Sequence, residues 1–203
     1  MRPIAIVAGV PVAPSVLDAA EARLRTARGA AALPVSGTSE GRQLRRWLTQ
    51  LIVTERVVAA EAAARGLSGR DAPSGEELLP DVTARLEIGS IAAAVLADPR
   101  ARSLFADVTA GVQVADTEVA AYHARNPLRF ATPVRDEHGW HTTALTGPPL
   151  DEVRSAIGEH LRGAARRRAF RLWLDARRAE LVQLAPGYEH PGDPRQPDNT
   201  HRH

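Results

Sequence analysis

Two stretches of apolar residues at helical spacing lie far apart in the chain, and each is too apolar on one side to stand alone in water. In the first, 43–67, Leu44, Trp47, Leu48, Leu51, Ile52 and Val58 fall on one face, while Arg42, Arg45, Arg46, Glu55 and Arg56 are mostly off it. Gly66 is its natural C-terminal stop. In the second, 151–181, Val153, Ile157, Leu161, Ala165, Phe170, Trp173, Leu174 and Leu181 form the stripe. Such helices draw their stability from burying that stripe rather than from intrinsic propensity. The N-terminal and C-terminal parts are therefore expected to fold as one unit. A chain of 203 residues suits one core with appendages. The fold class read from this pattern is mainly α, closed by a long C-terminal helix, with short terminal β-strands.

The remaining elements are shorter. Ile4 to Ala8 is rich in β-branched residues and ends at Gly9, and Val10 to Val12 reads as the returning strand of a small hairpin. Pro14 suits the first turn of a helix that carries Val16, Leu17, Ala20 and Leu24 through Ala27. After a loop from Ser68 to Gly75, one helix is expected from Asp81 to Asp98, with Leu86, Ile88, Ile91, Ala94 and Val95 inward. A helix over Arg100 to Val114 follows. Asp116-Thr117-Glu118 opens another, broken near Asn126-Pro127. Ala131 to Pro149 loses periodicity and reads as loop, with a hairpin through Trp140 to Leu145. Val182 to Leu184 reads as a closing strand.

Charge narrows the function classes. The pI of 9.8 suggests a nucleic-acid binder, yet the net charge is only +2. All 26 basic residues are Arg, and with no Cys and no Lys little loses charge between neutrality and pH 10, so the pI overstates the basicity. No nucleic-acid partner is expected. Ile4 to Val12, interrupted by Gly9 and Pro11, makes a poor secretory h-region, and no stretch reaches the roughly 18 apolar residues of a membrane span. The sequence expectation is a cytoplasmic protein without a membrane partner.

In this order, four segments resemble the SurA family of peptidyl-prolyl isomerase chaperones. They are the opening Ile6-Val7-Ala8-Gly9-Val10-Pro11-Val12; the long helix Gln43 to Leu67, ending in Arg-Gly-Leu; Val114-Ala115-Asp116-Thr117-Glu118-Val119 with Tyr122, Asn126 and Phe130; and Val153 to Leu184. The resemblance implies a SurA-like N-terminal helical region over 1–130. A short irregular insert or hairpin at 131–150 stands where the family carries its isomerase domain. A C-terminal helix and strand over 151–185 packs back on the N-terminal region, and 186–203 is a Pro/His-rich tail. The insert is too short to bury a core, so no prolyl-isomerase activity is expected. Ala13 departs from the Thr or Ser cap expected before the first helix.

Gly37-Thr38-Ser39-Glu40-Gly41 matches the G-x-S-x-G nucleophile elbow, but that motif needs a buried strand before it, and Pro34 spoils one here. A loop with Thr38 or Ser39 capping the long helix is the preferred reading. The tail gathers His190, His201 and His203 near Asp193 and Asp198, a set able to hold zinc, nickel or copper, although a solvated or docked tail is the simpler reading. His138 and His141 flank Trp140 and are assigned to the hairpin. Arg162, Arg166, Arg167, Arg168, Arg171, Arg177 and Arg178 on the last helix are expected to form a solvated face.

Two functions follow. In the first, the helices form a foldase-like cradle walled by Trp47, Phe105, Tyr122, Phe130, Trp140 and Trp173 that holds an unfolded polypeptide or a hydrophobic small molecule. In the second, the same scaffold is an enzyme acting on an acyl or polyketide-type substrate near His138, Trp140, His141 and the histidine tail.

Overall fold

The computed structural model describes residues 2–27, 30–130, 134–136, 139–141 and 147–190. It is mainly helical. β1 (Ala5–Val7) and β2 (Val10–Val12) form an antiparallel hairpin whose turn residues Ala8 and Gly9 both have positive φ, 48° and 79°. That pair of left-handed residues is what a two-residue turn requires to match the twist of its strands. α1 (Pro14–Thr26) begins with Pro14 at its first turn, and Ala13 supplies no side-chain cap. α2 (Ser39–Ala64) starts where Thr38 Oγ1 accepts the Gly41 N–H at 3.1 Å. It ends in a Schellman motif, with Gly66 at φ 67° and bonds from Leu67 N to Ala62 O and from Gly66 N to Ala63 O. Both termini of this helix follow local sequence chemistry.

The segment after α2 differs from the single helix expected at 81–98. α3 (Gly75–Leu78) is fixed by a reciprocal Ser74–Glu77 capping box. α4 (Val82–Ile88), capped by Asp81, and α5 (Ser90–Val95) are separated by Gly89 at φ 89°. The break changes which residues face inward. α4 buries Ala84 and Ile88, one turn apart, so Leu86 is carried to the far side and is 75% exposed. α6 (Pro99–Val108) is shorter than expected, and α7 (Asp116–Arg125) ends at Asn126 as its sequence implied.

α8 (Leu150–Leu181) is about 48 Å long at the helical rise, and it joins two apolar clusters. Its C-terminal half puts Phe170 and Leu174 into the main core, which also holds Leu17, Leu48, Val53, Val57, Ile88 and Phe105. Its N-terminal half puts Val153 and Ile157 against Val119 of α7. β5 (Val182–Leu184) then pairs antiparallel with β1, giving the order β2-β1-β5. The first and last segments of the chain are thus hydrogen-bonded neighbours.

Between α7 and α8, β3 (Val134–Asp136) and β4 (Gly139–His141) form a hairpin, displaced from the expected Trp140 to Leu145, of which 142–145 lie outside the described residues. The two ends of this stretch are held together. A Cβ on Gly147 would stand 1.6 Å from Pro127 O, and His123 Nε2 donates to Pro148 O at 2.8 Å. Only glycine allows so close a backbone approach.

The Arg residues of α8 are only in part a solvated face: Arg162, Arg168 and Arg171 are exposed, and the other four are drawn into contacts. Arg167 is buried, donating to Glu87 Oε2 at 2.8 Å and to Leu78 O at 3.3 Å. Arg166 lies over the Phe105 ring and donates to Thr109 Oγ1. Arg177 donates to Glu61 at 2.6 and 2.9 Å, tying α8 to α2. Because α8 is packed by α2, α4, α6 and α7 along its length, the arc left to water is narrower than the sequence stripe implied. Arg46, read as off the apolar face of α2, is likewise buried, with Nε donating to Gly187 O at 3.3 Å.

A second buried carboxylate joins α1 to α2. Glu21 accepts from Arg25 at 2.7 Å, Arg45 at 2.5 Å and Ser36 at 3.2 Å. Burial alone would raise its pKa, but the Arg25, Arg45 and Ser36 bonds outweigh it and hold the group below the ordinary 4.5. The depressed value makes this contribution complete above about pH 4.5 and lost as pH falls through the folded-state value. Glu21→Gln is therefore expected to be less stable than the parent at pH 7. Denaturant titrations at stepwise lower pH should show that gap closing below 4.5; a gap independent of pH would contradict the assignment.

Candidate groove between the first, second and fifth helices

An open cavity of about 580 Å³ lies where α1 and α2 meet α5 and the start of α6. Its apolar surface comes from Val16 of α1, Ile52, Val58 and Ala59 of α2, and Ala94 and Val95 of α5. The space exists because α2 and α5 present Ala where they pass one another, and a methyl group leaves interhelical volume that a larger side chain would fill. The volume lies within the usual range for ligand sites, about 300 to 1,000 Å³.

Charged groups rim this groove. Arg23, Glu55, Arg56, Asp98 and Arg100 all line it. Asp98 is held in place as the cap of α6, accepting the Arg100 N–H at 2.8 Å. Glu55 is raised above its ordinary carboxylate value, chiefly by the water it loses against the groove; Arg23 opposes the shift and the nearby Asp98 charge adds to it. The Arg56 and Arg100 guanidinium groups make no hydrogen bond or ion pair among the described residues. The rim thus offers both signs of charge beside an apolar floor.

Among the described residues, the aromatic side chains singled out from sequence fall in two clusters. Phe105 is only 1% exposed and packs on Phe170 at 5.1 Å between ring centres, so it is core and out of reach of a ligand. Trp173 stacks on Phe170 at 5.6 Å and carries Arg65 over its ring, while Trp47 packs on the core and donates to Ser90 Oγ at 3.4 Å. Tyr122 and Phe130 belong to the second cluster, where both rings meet His160 at 5.5 and 6.1 Å. The side chain of Trp140 lies outside the described residues. Large aromatics at helical spacing were a signal for core rather than for a binding wall.

His160 was not singled out from sequence. Its Nε2 is 3.3 Å from the Tyr122 hydroxyl, and burial, with Arg129 and Arg167 against Glu87 and Asp81, lowers its pKa below 6.5. Ring contacts and the Tyr122–His160 hydrogen bond hold α7 against α8.

The G-x-S-x-G glycines have steric explanations. Gly37 has φ 84°, and a Cβ on Gly41 would stand 2.3 Å from Val35 O. Ser39 sits at the first turn of α2, and its hydroxyl makes no bond to a base among the described residues. A Ser nucleophile needs such a base within reach. Ser39→Ala should leave ligand binding unchanged and alter stability by less than about 0.5 kcal/mol, as read by thermal melting and peptide titration; loss of an esterase or acyl-transfer activity in a folded variant would contradict this.

The start of the tail lies on the body. Gln50 Nε2 donates to Tyr188 O at 3.0 Å, and His190 lines a smaller cavity beside Arg171, Asp175 and Arg178. His138, His201 and His203 lie outside the described residues. No group of three or more His, Asp or Glu able to hold a metal occurs among the described residues, nor any helix long and apolar enough to cross a membrane.

Residues 3–40 match the model of a family described as "Family of unknown function (DUF7158)". That stretch covers the hairpin, α1 and the first two residues of α2. No curated protein and no solved structure matches the chain.

Proposed function

We propose that this protein is a foldase-like binding module that holds an extended apolar segment of an unfolded polypeptide in the groove between α1, α2 and α5. One observation carries the reading: an open cavity of about 580 Å³ with an apolar floor and a rim bearing both charges. An unfolded chain has apolar side chains for the floor, backbone polar groups and mixed charges for the rim, and ends that must leave the site. A groove open to solvent accommodates all three, whereas a purely apolar small molecule would leave the charged rim without partners. The order of hairpin, helix, long helix and closing helix with strand is the order on which the SurA resemblance rests, and it supports the same reading. The shortness of the stretch between Pro127 and Gly147, which approach each other closely, goes with holding a chain rather than isomerising its prolines.

The test is titration of a fluorophore-labelled apolar peptide. Saturable binding to the parent is expected, with affinity falling at least tenfold in Ala59→Trp. Ala59 is exposed at the groove, so the larger ring fills the site without entering the core. Absence of saturable binding, or equal binding by the filled variant, would overturn the proposal.

A further inference from the structure

A second cavity, of about 260 Å³, separates the α4–α5 turn from α8. Ile88, Ile91 and Leu174 give it apolar walls, and Arg171, Arg178 and His190 line it from α8 and from the chain after β5. Arg178 is the unusual member. It is only partly accessible, its Nη2 donates to the neutral amide of Gln50, and its buried Nε has no hydrogen-bond partner. Its Nη1 has no acceptor among the described residues, and no carboxylate forms an ion pair with it there. Burial lowers its pKa, with Asp175 alone acting against that. A guanidinium withdrawn from water without an anionic partner is costly. Two other Arg residues drawn into the fold from α8 show the contrast, since Arg167 has Glu87 and Arg177 has Glu61, while Arg166 is covered by the Phe105 ring and bonded to Thr109.

Among the described residues lining the cavity, Asp175 is the only carboxylate, against the two guanidinium groups of Arg171 and Arg178. The local excess is positive, and the walls beside it are apolar. We infer that this cavity binds a small organic carboxylate, its anionic group on Arg178 and Arg171 and its short apolar part against Ile88, Ile91 and Leu174. The site is separate from the α1–α2–α5 groove and does not depend on what that groove holds.

Thermal unfolding of the full chain tests this with butyrate as the probe, against sodium chloride at equal ionic strength and 1-butanol at equal concentration. Butyrate at tens of millimolar is expected to raise Tm by several degrees, as a ligand selective for the folded state must, while chloride and butanol leave it unchanged. In Arg178→Met the butyrate response is expected to vanish. Should that variant fail to fold, Arg171→Gln, a change at an exposed position, is expected to weaken the response at least threefold. A response of equal size in the folded Arg178→Met or in Arg171→Gln, or none in the parent, would overturn the inference.

Discussion

Removing everything after Pro149 is expected to abolish cooperative folding of the remainder. The deletion takes Phe170 and Leu174 from the main core and Val153 and Ile157 from the second cluster. It also strips β5 from β1, leaving the Ala8 N–H and Ile4 carbonyl without the Leu181 and Ala185 groups they bond. Fully burying one large apolar side chain is worth about 1.5 to 3 kcal/mol, so four together approach the whole stability of a domain, about 5 to 15 kcal/mol. Phe105 and Ile88 would meanwhile be uncovered. Residues 1–149 should show no sharp thermal transition by circular dichroism. A cooperative melt near that of the full chain would contradict the single-unit account.

Phe170→Ala should be the most damaging substitution of one core residue on α8. Phe170 has no exposed surface and stands between Phe105 and Trp173, with ring centres at 5.1 and 5.6 Å. Truncation leaves a cavity that these two rings cannot fill, because Arg166 lies over the first and Arg65 over the second, each fixed to its own partner. A loss of about 3 to 5 kcal/mol is expected from denaturant titration, with an unchanged denaturant slope. Phe170→Leu should cost less than half as much. A loss below 1 kcal/mol for the Ala variant would mean that α8 does not anchor the core through this ring.

The parts of the fold written in local chemistry were legible in the sequence. Thr38 at the start of α2, Gly66 at its end, Asn126 after α7 and the β-branched runs at both termini act on their neighbours in the chain, and the structure places each as read. Ser74 and Glu77 carried an equally local capping signal that pointed to α3. Features set by packing between distant segments were not legible. Gly89 splits 81–98 and turns Leu86 outward, a change that periodicity over the whole stretch concealed. The charges on α8 looked solvated because Glu61 and Glu87, which bind Arg177 and Arg167, lie far away in sequence.

The site was less legible than the fold. The groove is made by absence, where Ala59 and Ala94 leave room between helices, and its rim residues Arg23, Glu55, Arg56, Asp98 and Arg100 come from three separate segments. No spacing rule joins them. The aromatic residues drew notice instead, and the structure uses Phe105 and Trp173 to fill and cover the core. The start of the tail was readable only as a departure from helix, whereas Gly187 and Tyr188 dock through their carbonyls, which carry no side-chain signature.

The most direct test of the central claim is photo-crosslinking of an apolar peptide carrying one benzophenone group to the full-length protein, followed by mapping of the attachment sites. Attachment is predicted at Val16, Ile52, Ala59 and Ala94, and it should be suppressed by excess unlabelled peptide and by Ala59→Trp. Crosslinks scattered over the surface, or concentrated on the exposed Val82 and Leu86 of α4, would contradict it.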